Sequence, residues 1–177
     1  MLQKLMNFIH RYNTKRIFRI LLVISAFCYI LMGTKVFGLL SDFNSEYMLD
    51  LLLYYSGDKF VSALESISAA QIGYYRILHS IDYLFIVTFY PLLVLILDRF
   101  IEGKNKFKYL MLLPVLAMLC DLFENLIIDF HLSIGVGSFL STMSGILTTL
   151  KFTSIFITII IAIVFITKSI KRRRSNG

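Results

Sequence analysis

The chain contains four blocks of mostly apolar residues, each about as long as a helix that crosses a bilayer. A hydrocarbon core of about 30 Å needs roughly 20 apolar residues per helix, and a soluble core does not require such clustering. Only 16% of the 177 residues are charged, against roughly a quarter in soluble domains. The sequence therefore predicts an all-α, four-helix transmembrane bundle that forms one integral membrane domain, residues 1–177. The predicted spans are about 17–34, 77–97, 109–130 and 140–167.

The segment between the first two spans, residues 35–76, is too polar to cross a bilayer and is predicted to form two short amphipathic helices. The first has Ser45 as its N-cap, an apolar run over 48–55 and Gly57 as its C-terminal stop. The second begins with Asp58 as its N-cap and continues with apolar residues at helical spacing. Helices of this kind lie on a membrane surface or cover the end of a bundle.

The basic residues are concentrated on one side of the predicted membrane. Fourteen of the eighteen Lys and Arg residues lie in the N-terminal stretch, the loop between spans two and three and the C-terminal tail, and three lie in the other two loops. The positive-inside rule then predicts a multi-pass protein of the cell membrane with both termini in the cytoplasm. The first span is predicted to be an uncleaved signal anchor, because no Ala-x-Ala-like site follows it closely. The same distribution explains the net charge of +7 without a nucleic-acid partner.

Polar residues interrupt the apolar blocks at positions where they are costly. Asp121, Glu124 and Asn125 lie three and four residues apart, so they share one face of the third span. Lys151 lies in the fourth span, and Asp82 lies near the outer end of the second. A charged side chain at the bilayer centre costs about 2.5–3.5 kcal/mol on insertion scales, so such residues pair inside the bundle. We expect all five side chains to meet in the outer half of the bilayer.

Two carboxyl groups on adjacent helical turns suggest acid–base chemistry, because a low-dielectric site disfavours ionising both. Asp121 and Glu124 are accordingly the predicted catalytic pair. The predicted ligand-binding residues are Asp82, Asn125, Lys151 and Tyr90. A structural alternative stays open, in which the same groups fix the register of the helices through interhelical hydrogen bonds. No metal site and no cofactor is predicted, because the sequence has no compact ligand motif.

The spacing of these residues resembles that of a bacterial family. The run from Tyr74 through Asp82 and Tyr90, then Asp121-Leu122-Phe123-Glu124-Asn125, then Lys151, is similar to four-span membrane proteins of uncharacterised function with an Asp-Leu-x-Glu-Asn core. This resemblance implies the fold and no particular activity. In architecture and acidic content the chain is also similar to the sterol-isomerase and sigma-2-receptor-like four-helix membrane proteins. That looser similarity implies paired acids that protonate or bind amphipathic amines and sterols.

Three functions fit these observations. In the first, the protein binds or transforms a lipid-like or amphipathic small molecule by paired-carboxylate acid–base chemistry, and whether it is an enzyme stays open. In the second, it is an accessory, assembly or signalling subunit with a structural polar cluster and a membrane-protein partner. In the third, it is a small proton-coupled carrier, for which a homo-oligomer is expected because four helices enclose little space.

Overall fold

The computed structural model describes residues 2–39, 49, 52–101 and 105–175. These residues are mostly helical and contain no strand, which confirms the predicted all-α class. Four helices are long and apolar enough to cross a membrane, at Lys15–Thr34, Gln71–Ile101, Tyr109–Ile134 and Ser138–Lys171. In chain order the elements are α1 (Leu2–Tyr12), α2 (Lys15–Leu39), α3 (Gly57–Glu65), α4 (Ala69–Ile101), a 3-10 helix (Asn105–Met111), α5 (Leu112–Ile134) and α6 (Ser138–Ser175).

The residues before the first span form a helix of their own, which is not among the predicted helices. α1 ends at Tyr12, and α2 begins at Lys15. The Thr14 side-chain oxygen between them accepts the Ile17 N–H at 3.2 Å. A Thr in this position satisfies an amide that has no partner within the first turn of a helix. The chain therefore changes helix immediately before it enters the first span.

All four spanning helices extend past at least one of the predicted limits, α4 and α6 by the most. α4 begins at Ala69, ahead of the predicted start at residue 77, and α6 runs from Ser138 to Ser175, past both ends of the predicted 140–167. The predicted limits follow the appearance of polar residues, whereas the hydrogen bonds of a helix continue through polar residues. With 38 residues, α6 is roughly 57 Å long, nearly twice the hydrocarbon thickness of about 30 Å. Part of α6 therefore lies outside the hydrocarbon core or accommodates its length by tilting.

The segment before α3 differs from the prediction where it can be compared. Residues 40–48 and 50–51, including the predicted N-cap Ser45, lie outside the described residues. Residues 52–56 are described and are not helical. The predicted helix over 48–55 is therefore wrong in its last residues. Of its apolar side chains, Leu52 and Tyr55 pack onto the bundle, whereas Leu53 and Tyr54 are exposed.

The predicted start of α3 is also wrong. Gly57, the predicted stop of the preceding helix, is the first residue of α3. The N-cap is Ser56 rather than Asp58, and the Ser56 side chain accepts the Lys59 N–H at 3.2 Å. Ser and Asp are both favourable N-cap residues, so the sequence alone does not show whether Ser56 or Asp58 caps the helix.

The spanning helices contribute unequally to the bundle. α4, α5 and α6 pack against one another, α2 packs along α4, and α3 packs on α6. One apolar cluster lies at the α3 end, one at the opposite end around Leu97 and Phe165, and one between them around Ile86. Large apolar side chains such as Val23 and Phe156, each 66% exposed, cover the outer surfaces. This is the surface that a protein presents to lipid.

Residues 52–56, which we call the strap, lie against α6 just before α3 begins. The Thr149 hydroxyl donates to the Leu53 carbonyl oxygen at 3.1 Å. A Cβ atom at Gly145 would collide with the Tyr55 carbonyl oxygen, so this position requires glycine. The close approach of the strap to α6 places the Tyr55 side chain in the interior of the bundle, where it is 2% exposed.

Candidate functional site

The polar face of α5 is buried between its neighbouring helices. Asp121, Glu124 and Asn125 have exposed fractions of 6%, 0% and 0%. Lys151, on the adjacent helix α6, is 5% exposed. All four predicted site residues on α5 and α6 are therefore buried. Their polar atoms consequently need partners within the protein.

Lys151 lies between the two carboxyl groups of α5. Its Nζ is 2.9 Å from Oδ1 of Asp121 and 2.8 Å from Oε2 of Glu124. The two acids are one helical turn apart, so a single ammonium group from α6 reaches both. The predicted meeting of these three side chains is confirmed.

The other carboxyl oxygens accept hydrogen bonds from hydroxyl groups. Tyr90 on α4 donates to Oδ2 of Asp121 at 2.7 Å. Oε1 of Glu124 accepts from Thr148 on α6 at 2.5 Å and from Tyr55 of the strap at 3.0 Å. Each of the four carboxyl oxygens thus has a hydrogen-bond or ion-pair partner. The network joins α4, α5, α6 and the strap, and its members restrict one another's orientation.

Tyr55 is not among the predicted site residues. The sequence pattern predicts that Tyr55 lies in an external helix, whereas its hydroxyl lies 3.0 Å from Glu124 and 2.7 Å from Oγ of Ser144. Nothing in the local sequence distinguishes Tyr55 from Tyr54, which is 59% exposed. The sequence feature that could have indicated this contact is on α6, where Ser144 and Gly145 are small enough to admit another segment. Small residues indicate a close approach, but they do not identify the segment that approaches.

Asp82 joins the cluster through Asn125. The side-chain amide of Asn125 donates a hydrogen bond to Oδ2 of Asp82, which links α5 to α4. Asp82 is half-buried, whereas Asn125 is fully buried. The prediction that Asp82 comes near the polar face of α5 is confirmed, with the amide as the link.

A second polar group lies on the same two helices, closer to α3. Nδ1 of His79 is 3.1 Å from Oδ1 of Asp129, and the Tyr83 hydroxyl donates to Oδ2 of Asp129 at 2.7 Å.

His131 packs edge-on against Phe60, with 5.1 Å between the ring centroids. Across the part of the chain that the structure describes, no group of three or more His, Cys, Asp or Glu residues is placed to hold a metal ion.

The charge balance of the cluster determines what it can do chemically. Asp121 and Glu124 together contribute two carboxyl groups, and Lys151 contributes one ammonium group within 2.9 Å of both. An uncompensated charge is costly in a buried site of low dielectric constant. With all three groups ionised, the two carboxylates exceed the ammonium by one negative charge.

No protein-family model, no curated protein and no solved structure matches the chain. The two resemblances noted from its residues stay predictions.

Proposed function

We propose that the protein binds or transforms a lipid-like or amphipathic small molecule at this cluster, with Asp121 and Glu124 as an acid–base pair. The observation that carries the proposal is the position of Lys151, whose Nζ lies within 2.9 Å of both carboxyl groups. Two carboxyl groups that share one ammonium are neutral when one of them holds a proton. The protonated acid can then donate to a bound molecule while its ionised neighbour accepts a proton.

The surrounding residues have roles that suit a bound molecule. Lys151 holds the ionised carboxylate, and Tyr90 orients the carboxyl group of Asp121 through its 2.7 Å hydrogen bond. Asn125 and the half-buried Asp82 provide polar contacts on the α4 side. These polar contacts bind the head of an amphipathic molecule.

The apolar surroundings favour a lipid-like molecule over a polar one. Phe123 is adjacent to Glu124 in the chain and is 52% exposed on the outer surface of α5. The cluster and the lipid-facing surface are thus opposite sides of the same helix. An apolar molecule reaches this region from the bilayer, whereas a hydrophilic molecule has to cross apolar surroundings at a cost in free energy.

The strap controls access to Glu124 in this proposal. The Tyr55 hydroxyl occupies Oε1 of Glu124, and the Tyr55 side chain is 2% exposed. A molecule that exchanges a proton with that oxygen has to displace the hydroxyl. With the predicted topology, the strap is on the outer side, so the molecule enters from the outer leaflet or the external solution.

An accessory or assembly subunit is the second candidate, and the contacts that the network makes between helices favour it. Every carboxyl oxygen of Asp121 and Glu124 has a partner in α4, α6 or the strap. Such a network can hold helices in register without binding a ligand. In this function the polar cluster is structural, and a partner protein binds the external segment.

Native mass spectrometry combined with lipid analysis tests the proposal on gently purified protein. Glu124→Gln preserves the size of the side chain and removes its ability to ionise. Glu65→Gln, at an exposed position at the end of α3, is the matched control. At equal expression we expect a discrete small molecule on the wild type and on Glu65→Gln, and none on Glu124→Gln.

The same experiment separates the alternatives. No bound molecule on any of the three proteins, together with a retained protein partner, would contradict the proposal and favour the accessory subunit. Reconstitution into liposomes adds a further distinction. Flux of a substrate that depends on a pH gradient indicates a proton-coupled carrier, whereas a product formed without flux indicates an enzyme.

A further inference from the structure

The end of the bundle opposite the strap brings α1 and α6 together. Ile9 of α1 packs against the apolar cluster that contains Leu97 and Ile101 of α4. Phe165 of α6 belongs to the same cluster, and its ring contacts the ring of Phe107 with centroids 5.4 Å apart. The beginning and the end of the chain therefore share one end of the bundle, which we call the basic end.

Polar contacts attach the junction of α1 and α2 at the basic end. The Asn13 side-chain amide donates to the Leu95 carbonyl oxygen at 3.1 Å and to Oδ2 of Asp98 at 2.6 Å. Arg99 donates from Nε to Oδ1 of Asn13 at 2.8 Å. The candidate span of α2 begins at Lys15, directly after this junction. α1 is thereby held at the level where the chain enters the membrane.

α1 presents two aromatic rings away from the bundle. Phe8 and Tyr12 are 59% and 46% exposed, with ring centroids 4.6 Å apart. Ile9 faces the bundle instead. Aromatic rings on a helix at this level are stabilised in the interfacial region of a bilayer. Arg11 follows Phe8 by three residues, so a basic side chain and a ring lie on the same side of the helix.

Among the side chains that the structure describes at the basic end, the exposed charges are positive. The first nineteen residues contain no acid. Asp98 is 9% exposed and accepts a hydrogen bond from Asn13, so it contributes little negative surface. Exposed basic residues at this end include Arg11, Lys15, Arg16, Arg19, Lys168 and Lys171. A basic surface of this kind is electrostatically complementary to a layer of negative charge at the membrane.

We infer that α1, together with the basic ends of α2 and α6, forms a binding surface for the headgroups of anionic phospholipids. The rings of Phe8 and Tyr12 enter the interfacial region, and the neighbouring basic side chains contact lipid phosphates. A zwitterionic membrane provides the same apolar region without net negative charge, so it binds α1 more weakly. The inference is independent of the carboxylate cluster, because none of these residues takes part in that network.

A single tryptophan at position 8 measures this contact, because the chain contains no Trp. Phe8→Trp protein is reconstituted into phosphatidylcholine nanodiscs with increasing fractions of phosphatidylglycerol. We expect a blue shift of the emission, and stronger quenching by brominated lipid, as the anionic fraction rises. In the same background, Arg11→Gln/Lys15→Gln should weaken the preference for anionic lipid by about fivefold for each charge removed.

The matched control is Lys59→Gln/Arg76→Gln, which removes two exposed charges far from α1 and should leave the response unchanged. Tyr12→Trp is a second reporter that serves if the Phe8→Trp protein does not fold. Equal emission and quenching with both lipids would overturn the inference, as would an equal loss in the control variant. Inorganic phosphate added to phosphatidylcholine nanodiscs should not reproduce the shift, and a shift with phosphate alone would also overturn it.

Discussion

Glu124 illustrates how an ionisable side chain is accommodated at zero exposure. Its two oxygens are occupied by Lys151, Thr148 and Tyr55, which replace the water that the carboxyl group loses on burial. A buried donor or acceptor that loses its partner costs about 1–3 kcal/mol, so each partner contributes to the stability of the bundle. Of the three, Tyr55 is the partner that comes from outside the spanning helices.

Tyr55→Phe removes the hydroxyl and keeps the ring. Hydrogen bonds to charged groups contribute about 1.5–3 kcal/mol, and contacts within membranes fall toward the lower end. We therefore expect the free energy of unfolding in mixed micelles to decrease by about 1.5 kcal/mol. Tyr54→Phe is the same change at the neighbouring, 59% exposed position and should alter stability by less than about 0.5 kcal/mol. Equal effects at both positions would mean that the Tyr55 hydroxyl does not stabilise the protein.

At the scale of the elements, the strap and α6 determine each other's position. Thr149 donates to the Leu53 carbonyl oxygen, and Gly145 leaves room for the backbone of the strap. α3 follows the strap and also packs on α6. The site is therefore assembled from three spanning helices and one segment that does not span, and small residues on α6 make that contact close.

Gly145→Ala adds a methyl group that collides with the Tyr55 carbonyl oxygen. We expect it to destabilise the protein by about 1–3 kcal/mol, the usual cost of overpacking, and to speed hydrogen exchange of the amides in residues 52–65. Gly73→Ala, in α4, meets no atom within 4 Å and is the matched control. It should be neutral or stabilising by about 0.5–1 kcal/mol, because alanine favours helix over glycine. Unchanged exchange in Gly145→Ala would show that the strap is not held by this approach.

At the scale of the whole molecule, α4, α5 and α6 surround the polar cluster, while α2 packs along α4. In the apolar stretch of α2 that could span a membrane, only 11% of the residues are buried. The corresponding stretch of α4, which α2 contacts, is 50% buried. α2 therefore offers most of its surface to lipid and contributes little to the cluster. The basic end and the strap lie at opposite ends of this arrangement, as the charge distribution predicts for the two sides of a membrane.

Cysteine labelling in cells measures the predicted orientation. Cys28 and Cys120 are 1% and 4% exposed, so the wild type provides an unreactive background. We expect a membrane-impermeant maleimide to label Lys59→Cys in intact cells and Lys171→Cys only after permeabilisation. Both positions are exposed, so access to the reagent differs between them only through the membrane. The reverse pattern would contradict the prediction that both termini are cytoplasmic.

The spans and the polar face of α5 could be predicted because they depend on neighbours in the chain. Apolar blocks specify helices that need a bilayer, and the spacing of Asp121, Glu124 and Asn125 specifies one helical face. The high cost of a charge in hydrocarbon also makes a partner for Lys151 predictable. The helix predicted over 48–55 is wrong at residues 52–55, since an apolar run has the same local pattern whether it forms a helix or packs as an extended segment.

The sequence by itself determined an all-α protein with four apolar helices and carboxyl groups that have to pair with a lysine. It did so because helix length, helical periodicity and the cost of buried charge are local properties. Only the tertiary structure decided that Tyr55 reaches Glu124 and that α1 packs on α4, against the apolar cluster that also contains Phe165 of α6. These contacts join residues far apart in the chain, and they form where backbones can approach closely and hydrogen-bonding groups meet in three dimensions.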